Sequence, residues 1–324
     1  MTKLYPLKLT GVTKSPIWGG TRLLKDWNKS SDRETVGESW ELTVRPQDMC
    51  RVANGSLTGE PFDALMEKWG AGLTGRQMSV SEFPLLIKLI DAQDALSVQV
   101  HPDDSYAARV ENDRGKTEMW YIVEADEGAE LVCGLAEGMD REGFARAVSE
   151  GRISEALHHQ PVHAGESYFI PAGLAHAIGR GILIAEIQQN CDLTYRVYDY
   201  DRRQADGSLR ELHVEKALDV IRPFTDDEID AIAFARTGGK PEGADVLADC
   251  EYFRVEKKTL TEAPVELSLR GTMRHLLCLS GEGTLECDGV SYPIGKGESW
   301  LLPASLESVT ASGNAVLLVS QANN

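Results

Sequence analysis

The chain has 324 residues, 42% hydrophobic and 26% charged, a composition ordinary for a folded protein with a large core. Its formal net charge of −18 repels polyanions, which argues against a general role in binding nucleic acids or anionic membranes. The sequence has neither a run of the roughly 18 apolar residues needed for a membrane span nor a signal-peptide pattern, and its six cysteines are scattered, so we expect a reduced, cytoplasmic protein.

Short apolar segments separated by Gly, Pro, Asp and Asn make up most of the chain, and this pattern predicts an all-β sandwich or barrel. Helical periodicity interrupts it in three places: residues 61–70, 139–151 and 212–223. The first begins at Pro61, the second follows Asp140 as a candidate N-cap, and the third ends at Pro223. We therefore expect a few helices packed around β units.

The segment LSVQVHPDD, residues 96–104, predicts a strand whose two faces differ. Val98 and Val100 lie on one face, and Pro102 ends the pairing. The other face carries a hydroxyl, an amide and an imidazole: Ser97, Gln99 and His101. If this face points into the protein, its polar groups need a shared partner.

Two stretches repeat one another at a constant offset, which indicates a duplicated β unit. Residues 165–176 are GESYFIPAGLAH, and residues 297–308 are GESWLLPASLES. The second copy has Ser308 where the first has His176, so whatever chemistry His176 performs is absent from the second copy. A less regular stretch, residues 226–245, is expected to connect the copies.

Three residues favour a metal site. His176 follows a Pro-x-Gly turn, where a histidine taken alone is more often a surface or hydrogen-bonded residue than a ligand. However, His101 lies on the polar strand face, and Glu118 begins the apolar strand EMWYIVEA, where an inward-facing glutamate would need a partner. Together with Gln99 they would offer two nitrogens and two oxygens, a set suited to zinc first and to iron or manganese next.

Basic residues form a second candidate set. Lys88 lies in the apolar segment PLLIKLIDA, where a lysine must reach solvent or find a partner. Lys116 closely precedes Glu118, and Arg196 follows Glu186 by ten residues. A lone base is usually a solvated surface charge, and this interpretation is strongest for Lys116. Three bases near a metal, in a chain of net charge −18, favour a site for a phosphorylated or carboxylated small molecule.

The pattern G-x5-P-x-G-x2-H at residues 165–176 resembles the second motif of the cupins, a superfamily of small metal-binding β-barrels. Residues 99–101 have Q-x-H where the first cupin motif has H-x-H. Together with GKTEMWYIVEA, AEIQQNCDLTYRVYDYDR and the N-terminal segments IWGGTRL and GESWEL, these motifs make the chain resemble the type I mannose-6-phosphate isomerases, particularly the short bacterial form with two barrels. The resemblance covers nearly the whole chain, although it is only architectural in the C-terminal barrel.

This resemblance implies two cupin-type jelly-roll β-barrels with a few accessory helices. An N-terminal catalytic domain with helical insertions would span residues 1–225, and a barrel without metal ligands would span residues 226–324. The resemblance implies one Zn²⁺ per chain, with iron, manganese or cobalt as alternatives, held by four ligands: Gln99, His101, Glu118 and His176. It also implies a small-molecule sugar phosphate as partner, and a monomer or homodimer.

The resemblance further implies a catalytic Arg196 at the mouth of the pocket and three residues near the substrate: Ser97, Lys88 and Lys116. Glu186 matches a carboxylate that faces the pocket. In GESWEL, Glu38 and Glu41 are weaker candidates for substrate contact. Arg180 stands where the general cupin motif has asparagine, which argues against a supporting polar role there.

The implied reaction interconverts mannose 6-phosphate and fructose 6-phosphate by moving a proton between C2 and C1 through a cis-enediol(ate). Arg196 stays charged, so we expect it to stabilise the enediolate or hold the phosphate. Glu186 is the candidate base, and a water activated by the metal is the competing one. Two other classes share parts of the pattern: an iron-dependent cupin oxygenase and a non-catalytic sugar-binding cupin.

Overall fold

The computed structural model describes residues 3–204, 206–232 and 246–323. Within these ranges strands predominate, which confirms the predicted all-β class. The strands are β1 (Leu7–Thr10), β2 (Val12–Lys14), β3 (Glu38–Leu42), β4 (Val44–Arg45), β5 (Asp48–Met49), β6 (Arg51–Val52), β7 (Leu85–Ala92), β8 (Val98–Val100), β9 (Glu118–Ala125), β10 (Glu130–Leu135), β11 (Leu157–Pro161), β12 (Ser167–Ile170), β13 (His176–Ile178), β14 (Ile182–Gln189), β15 (Tyr195–Tyr198), β16 (Val246–Asp249), β17 (Phe253–Thr259), β18 (Val265–Glu266), β19 (Arg274–Cys287), β20 (Val290–Gly295), β21 (Ser299–Leu302) and β22 (Thr310–Ala322).

Helices are short and few in the described ranges: α1 (Arg22–Lys25), α2 (Phe62–Trp69), α3 (Ala71–Thr74), α4 (Asp104–Val110), α5 (Arg141–Ser149), α6 (Val214–Val220) and α7 (Asp226–Ile232). The three predicted helices are confirmed as α2, α5 and α6, and Asp140 caps α5 by accepting a hydrogen bond from the Gly143 amide at 2.7 Å. Among the described residues, no helix is long and apolar enough to cross a membrane.

The first barrel consists of two facing antiparallel sheets. Five strands pair in the order β11-β10-β13-β8-β15, and six pair in the order β12-β9-β14-β7-β3-β2. Alternation along each strand sends one set of side chains between the sheets and the other outward. Between the sheets lies an apolar core that includes Ile90, Trp120, Ile122, Ile178 and Ile184.

The strand predicted from LSVQVHPDD is β8, in which Val98 and Val100 are buried and Gln99 is half-buried. Val98 and Val100 pack outward against Phe144 of α5 and Ala217 of α6, in a core that covers the outside of the five-stranded sheet. The opposite, polar face therefore points between the two sheets, so its side chains lie inside the protein. We conclude that the strand faces differ because one packs under helices and the other lines the barrel interior.

The seven C-terminal strands, β16 to β22, belong to a nine-stranded sheet that encloses a separate apolar core. Two N-terminal strands complete this sheet, since β1 pairs with both β21 and β6. The outer face of the six-stranded sheet, including Leu89 and Ile187, packs against Leu277 and Leu301 of this C-terminal sheet. Strands from both sides of the predicted domain boundary, between residues 225 and 226, therefore share one sheet. The division into two domains at this point stays a proposal.

The stretch 226–245, predicted to be less regular, begins with α7, and Ile229 of this helix is buried in the core between the sheets of the first barrel. The remainder of that stretch, residues 233–245, lies outside the described residues. All six cysteines are unpaired, five of them are buried, and Cys250 is half-buried, as the scattered spacing predicts.

The repeat also has a common local structure. In the first copy the Glu166 carboxylate accepts hydrogen bonds from the His163 amide at 2.9 Å and from the Tyr168 hydroxyl at 2.8 Å. In the second copy the Glu298 carboxylate accepts them from the Gly295 amide at 3.2 Å and from the Trp300 indole at 3.1 Å. The glutamate and the aromatic residue of each copy thus fix the same turn into a strand.

An ion pair between Lys29 and Glu41 lies where the N-terminal and C-terminal parts of the chain meet, and a hydrogen bond from Lys29 to Gly297 connects the two parts. Lys29 Nζ lies 2.6 Å from Glu41 Oε1, whose side chain is completely buried, and donates a hydrogen bond to the Gly297 carbonyl at 2.6 Å. We expect Lys29→Met to lower the free energy of unfolding by about 3–5 kcal/mol, because it leaves the Glu41 charge buried without its partner.

Urea unfolding would measure this loss. The double variant Lys29→Met/Glu41→Leu is expected to recover most of it, whereas Arg33→Met, at an exposed ion pair with Asp32, should change stability by less than about 1 kcal/mol. A wild-type midpoint for Lys29→Met would show that the pair does not stabilise the fold.

Candidate active site

Strand register places two polar rows opposite each other inside the first barrel. On the five-stranded sheet it aligns one residue from each of β13, β8 and β15: His176, Gln99 and Arg196. On the six-stranded sheet it aligns one residue from each of β9, β14 and β7: Trp120, Glu186 and Lys88. Members of both rows line one cavity of about 330 Å³, so these residues form a single site.

Three predicted metal ligands meet in a buried cluster beside this cavity. Nε2 of His101 lies 3.2 Å from Nε2 of His176, and each of these nitrogens lies 3.6 Å from an oxygen of Glu118. All three side chains are at most 1% exposed. Their ligand atoms therefore point at one common position, as a metal site requires.

The protonation states of the two imidazoles suit metal binding. Burial lowers the pKa of His176 to about 4 and lowers the pKa of His101 well below its usual range. Nδ1 of His176 lies 2.8 Å from the Leu174 carbonyl, which can only accept a hydrogen bond, so Nδ1 carries the proton. The lone pair of His176 Nε2 is thereby directed at the cluster, as in ligating histidines whose other nitrogen is held by a carbonyl.

Glu118 gives an independent test of whether a cation fits here. Neither of its buried oxygens accepts a hydrogen bond from any described residue, and Lys116 Nζ lies 3.3 Å from Oε2. Burial and the neighbouring Glu186 raise the pKa of Glu118 to about 7 although Lys116 opposes the shift, which expresses the cost of burying this charge. Two imidazole nitrogens and an unsatisfied carboxylate are a donor set that fits a divalent transition metal.

Glu186 lies deep in the same cavity. Its Oε2 is 3.2 Å from Lys88 Nζ, and its Oε1 accepts a hydrogen bond from the Trp120 indole at 3.1 Å. Burial opposes ionisation, but Lys88 and Lys116 outweigh it and lower the pKa of Glu186, so this carboxylate is charged at neutral pH. Lys88 is only 5% exposed, so it cannot rely on solvent to stabilise its charge. The partner that the sequence predicts for it is Glu186.

Arginines surround the opposite side of the cavity. Arg196 Nε donates to the Ser97 hydroxyl at 3.3 Å, and its Nη1 donates to the Glu211 carbonyl at 2.8 Å. Arg210, which also lines the cavity, is held by the buried Asp199 carboxylate through a 2.7 Å hydrogen bond from Nε. The cavity wall therefore combines carboxylate and ammonium groups from the six-stranded sheet with the guanidinium groups of Arg196 and Arg210.

Comparison with known protein families agrees with this site. Residues 6–144 match the family described as phosphomannose isomerase type I, catalytic domain, and residues 244–322 match the family described as mannose-6-phosphate isomerase, cupin domain. The chain is 36% identical to the mannose-6-phosphate isomerase of Streptococcus mutans over 98% of both chains. The chain belongs to the type I phosphomannose isomerase family.

Further similarities support the same membership. The mannose-6-phosphate isomerase ManA of Bacillus subtilis is 37% identical, with 97% of this chain and 98% of that protein aligned. A crystal structure of the B. subtilis mannose 6-phosphate isomerase has a TM-score of 0.87 at 33% identity and covers 97% of this chain and 99% of its own. The predicted cupin architecture and the resemblance stated from the motifs are thus confirmed.

Within this family member, most predicted site residues come together. Of the non-metal candidates, five line the cavity: Ser97, Lys88, Lys116, Glu186 and Arg196. Gln99 lines it as well, beside His176 in the sheet. Glu38 also reaches the cavity, with Oε2 3.8 Å from Lys88 Nζ, whereas Glu41 points to the opposite face of β3 and pairs with Lys29. Arg180 is exposed and does not line the cavity.

Besides three aliphatic residues, Ile90, Leu96 and Ile178, sequence reasoning missed four cavity residues of this isomerase-family fold: Trp18, Asp192, Thr194 and Arg210. They come from irregular segments in which no periodicity indicates which way a side chain points. Arg210 had one usable sign in the sequence, since the segment 196–210 concentrates four arginines around Asp199. Such a cluster indicates that some of these cations share a partner, although it does not predict which arginine enters the site.

Proposed function

We propose that this chain interconverts mannose 6-phosphate and fructose 6-phosphate in the cavity of the first barrel. The observation that carries this proposal is the convergence of the His101, Glu118 and His176 ligand atoms beside a cavity lined by lysines and arginines. Membership in the isomerase family and the names of the relatives support the same reaction. No feature of the described residues favours the oxygenase or the sugar-binding alternative over it.

A zinc ion is the proposed cofactor. His101, Glu118 and His176 would hold it, with the Gln99 amide oxygen as the fourth ligand, and iron, manganese and cobalt would suit the same donors. When bound, a divalent ion supplies Lewis-acid stabilisation of the negative charge that develops on the sugar oxygens at C1 and C2. A neutral amide ligand such as Gln99 leaves more of the ion's positive charge available than a second carboxylate would.

Glu186 is the proposed base that moves the proton between C2 and C1. It is ionised at neutral pH, it lines the cavity, and Lys88 together with the Trp120 indole fixes the position of both its oxygens. A carboxylate that receives a proton from C2 can return it to C1 on the same face of a cis-enediol. Its hydrogen bond and ion pair hold it in place through this transfer.

The basic residues of the cavity are proposed to bind the substrate. Arg196 and Arg210 present guanidinium groups suited to phosphate or to enediolate oxygens, and Arg196 cannot act as the base because it stays protonated. Lys88, Lys116 and Ser97 lie close enough to the same cavity to donate to sugar or phosphate oxygens. These charges provide a local positive field in a chain whose net charge is −18.

The division into a catalytic domain, residues 1–225, and a C-terminal barrel, residues 226–324, also stays part of the proposal. Every residue assigned a role here precedes position 225. The C-terminal barrel would then contribute by packing its sheet against the outer face of the six-stranded sheet, where Leu89 contacts the same core as Leu277.

Chelation tests the proposed cofactor and reaction together. We expect mannose 6-phosphate turnover to fall by at least about 1,000-fold once metal is removed, because loss of Lewis-acid stabilisation costs several kcal/mol of barrier. One equivalent of Zn²⁺ should restore it. Elemental analysis would verify both states, and unchanged turnover after a verified loss of metal would contradict the metal-dependent mechanism.

A further inference from the structure

The C-terminal barrel contains a second polar cavity, of about 550 Å³, outside the site described above. Its wall includes Leu267 and Val319, which belong to the apolar core of that barrel, so the cavity lies at one end of this core. A volume of this size suits a small ligand, since such sites typically occupy roughly 300–1,000 Å³. Four cations and two carboxylates line it: Arg254, Lys258, Arg270, Arg274, Glu256 and Glu266.

Strand register shows that Arg274 occupies the position equivalent to Glu118. In the first barrel Glu118 pairs with Ile170, and in the second Arg274 pairs with Leu302. Ile170 and Leu302 are equivalent positions of the sequence repeat, and each belongs to the interior core of its own barrel. The duplicated unit thus has a cation at the position where the first copy has a buried anion.

Two of the four cations already have carboxylate partners. Arg254 Nε lies 2.9 Å from Glu256 Oε1, and Lys258 Nζ lies 3.0 Å from Glu256 Oε2. Glu256 is therefore committed to these neighbours, and it does not neutralise the remaining arginines by direct contact. Arg270 and Arg274 remain without an ion pair to any described residue, and the Glu266 carboxylate on the same wall offsets only one of their two charges.

Arg274 has hydrogen-bonding capacity that nothing in the described chain satisfies. Its Nε donates to the Ser268 carbonyl at 3.2 Å, but its buried Nη1 has no hydrogen-bond partner. Arg270 lines the same cavity and makes no ion pair with any described residue. Burial is the main cause that lowers the pKa of Arg274; Glu256 opposes this shift, and Arg270 and Arg254 add to it. A buried guanidinium nitrogen without a partner is costly and indicates a missing acceptor.

We propose that this cavity binds a phosphorylated small molecule through Arg270 and Arg274. Guanidinium groups present paired donors that match the oxygens of phosphate, and two arginines outside any ion pair suit a phosphate monoester, whose charge at neutral pH is close to −2. The site is independent of the proposed isomerase reaction, since none of its residues lines the first cavity.

Calorimetric titration of the full chain with inorganic phosphate tests this site. We expect Arg270→Asn/Arg274→Gln to lose one equivalent of bound phosphate per chain that the wild type and Arg33→Gln both retain. Arg33 is an exposed arginine that lines neither cavity, so it controls for net charge. Comparing variants assigns the lost equivalent to this cavity whether or not the first barrel also binds phosphate.

Arg270→Asn alone keeps the test decisive if the double variant folds poorly. Arg270 has a φ of +48°, a conformation that asparagine tolerates, and its side chain is exposed. This single variant should weaken phosphate binding about tenfold, the effect of losing one charged hydrogen-bond partner.

Identical phosphate binding by wild type and the variants would overturn the proposal, as would stronger binding of acetate than of phosphate. Unchanged mannose 6-phosphate turnover in the variants would separate this site from the isomerase site.

Discussion

Replacing His176 with alanine is expected to remove both bound metal and mannose 6-phosphate turnover. The imidazole is completely buried, its Nε2 faces His101 and Glu118, and its Nδ1 is held by the Leu174 carbonyl. Removing it takes away one of the two imidazole nitrogens and leaves His101, Glu118 and the weakly donating amide oxygen of Gln99, so the affinity of the site for zinc should fall sharply. We expect zinc content to fall well below one equivalent and kcat to fall at least about 1,000-fold, because the Lewis-acid contribution amounts to several kcal/mol.

His163→Ala is the matched control for this variant. The side chain of His163 is 79% exposed, and its one ion pair among the described residues is with the nearby Glu166, so its loss should leave metal content and kcat at wild-type values. Elemental analysis and initial-rate measurements on the purified variants would decide the matter. Full zinc occupancy of His176→Ala would place the metal elsewhere, and wild-type turnover without metal would contradict a Lewis-acid mechanism.

The metal cluster could be predicted from the sequence because its signs are local. Alternation in LSVQVHPDD places His101 on a polar face, and Glu118 begins an apolar strand where an unpaired charge is costly. The internal repeat then distinguishes His176 from Ser308 at the equivalent position. Each observation rests on a short stretch of sequence or on the comparison of two such stretches, and the structure brings the three ligands to within 3.6 Å of one another.

Features that depend on pairing between distant segments could not be predicted. β1 completes the C-terminal sheet by pairing with β21, almost 300 residues away, and nothing in its own four residues indicates that partner. Arg210 reaches the cavity because Asp199 holds it, and this geometry arises only from the folded loop. The sequence did hold a sign of the helix α4, because Asp103 caps it by accepting a hydrogen bond from the Tyr106 amide at 2.8 Å. The sequence analysis interprets this segment only as the end of a strand and therefore misses the helix.

Glu186→Gln is expected to lower kcat by about 100- to 10,000-fold, the usual contribution of a positioned general base. Glutamine keeps the shape of the side chain and can still accept a hydrogen bond from the Trp120 indole, but it cannot take the proton from C2. Metal content should stay at one equivalent, because Glu186 is not a member of the ligand cluster. Rates of mannose 6-phosphate turnover, together with elemental analysis, measure both quantities.

Glu41→Gln separates a catalytic effect from the general cost of altering a buried carboxylate. Glu41 and Glu186 are both buried glutamates paired with a lysine, at 2.6 Å and 3.2 Å respectively, but only Glu186 lines the cavity. Both variants should lose stability, since each removes the nearest carboxylate of a largely buried lysine. Only Glu186→Gln should lose kcat by orders of magnitude.

A kcat within threefold of wild type for Glu186→Gln would transfer the role of base to another group. Equal losses of kcat in the two variants would mean that the effect arises from the damaged fold rather than from proton transfer.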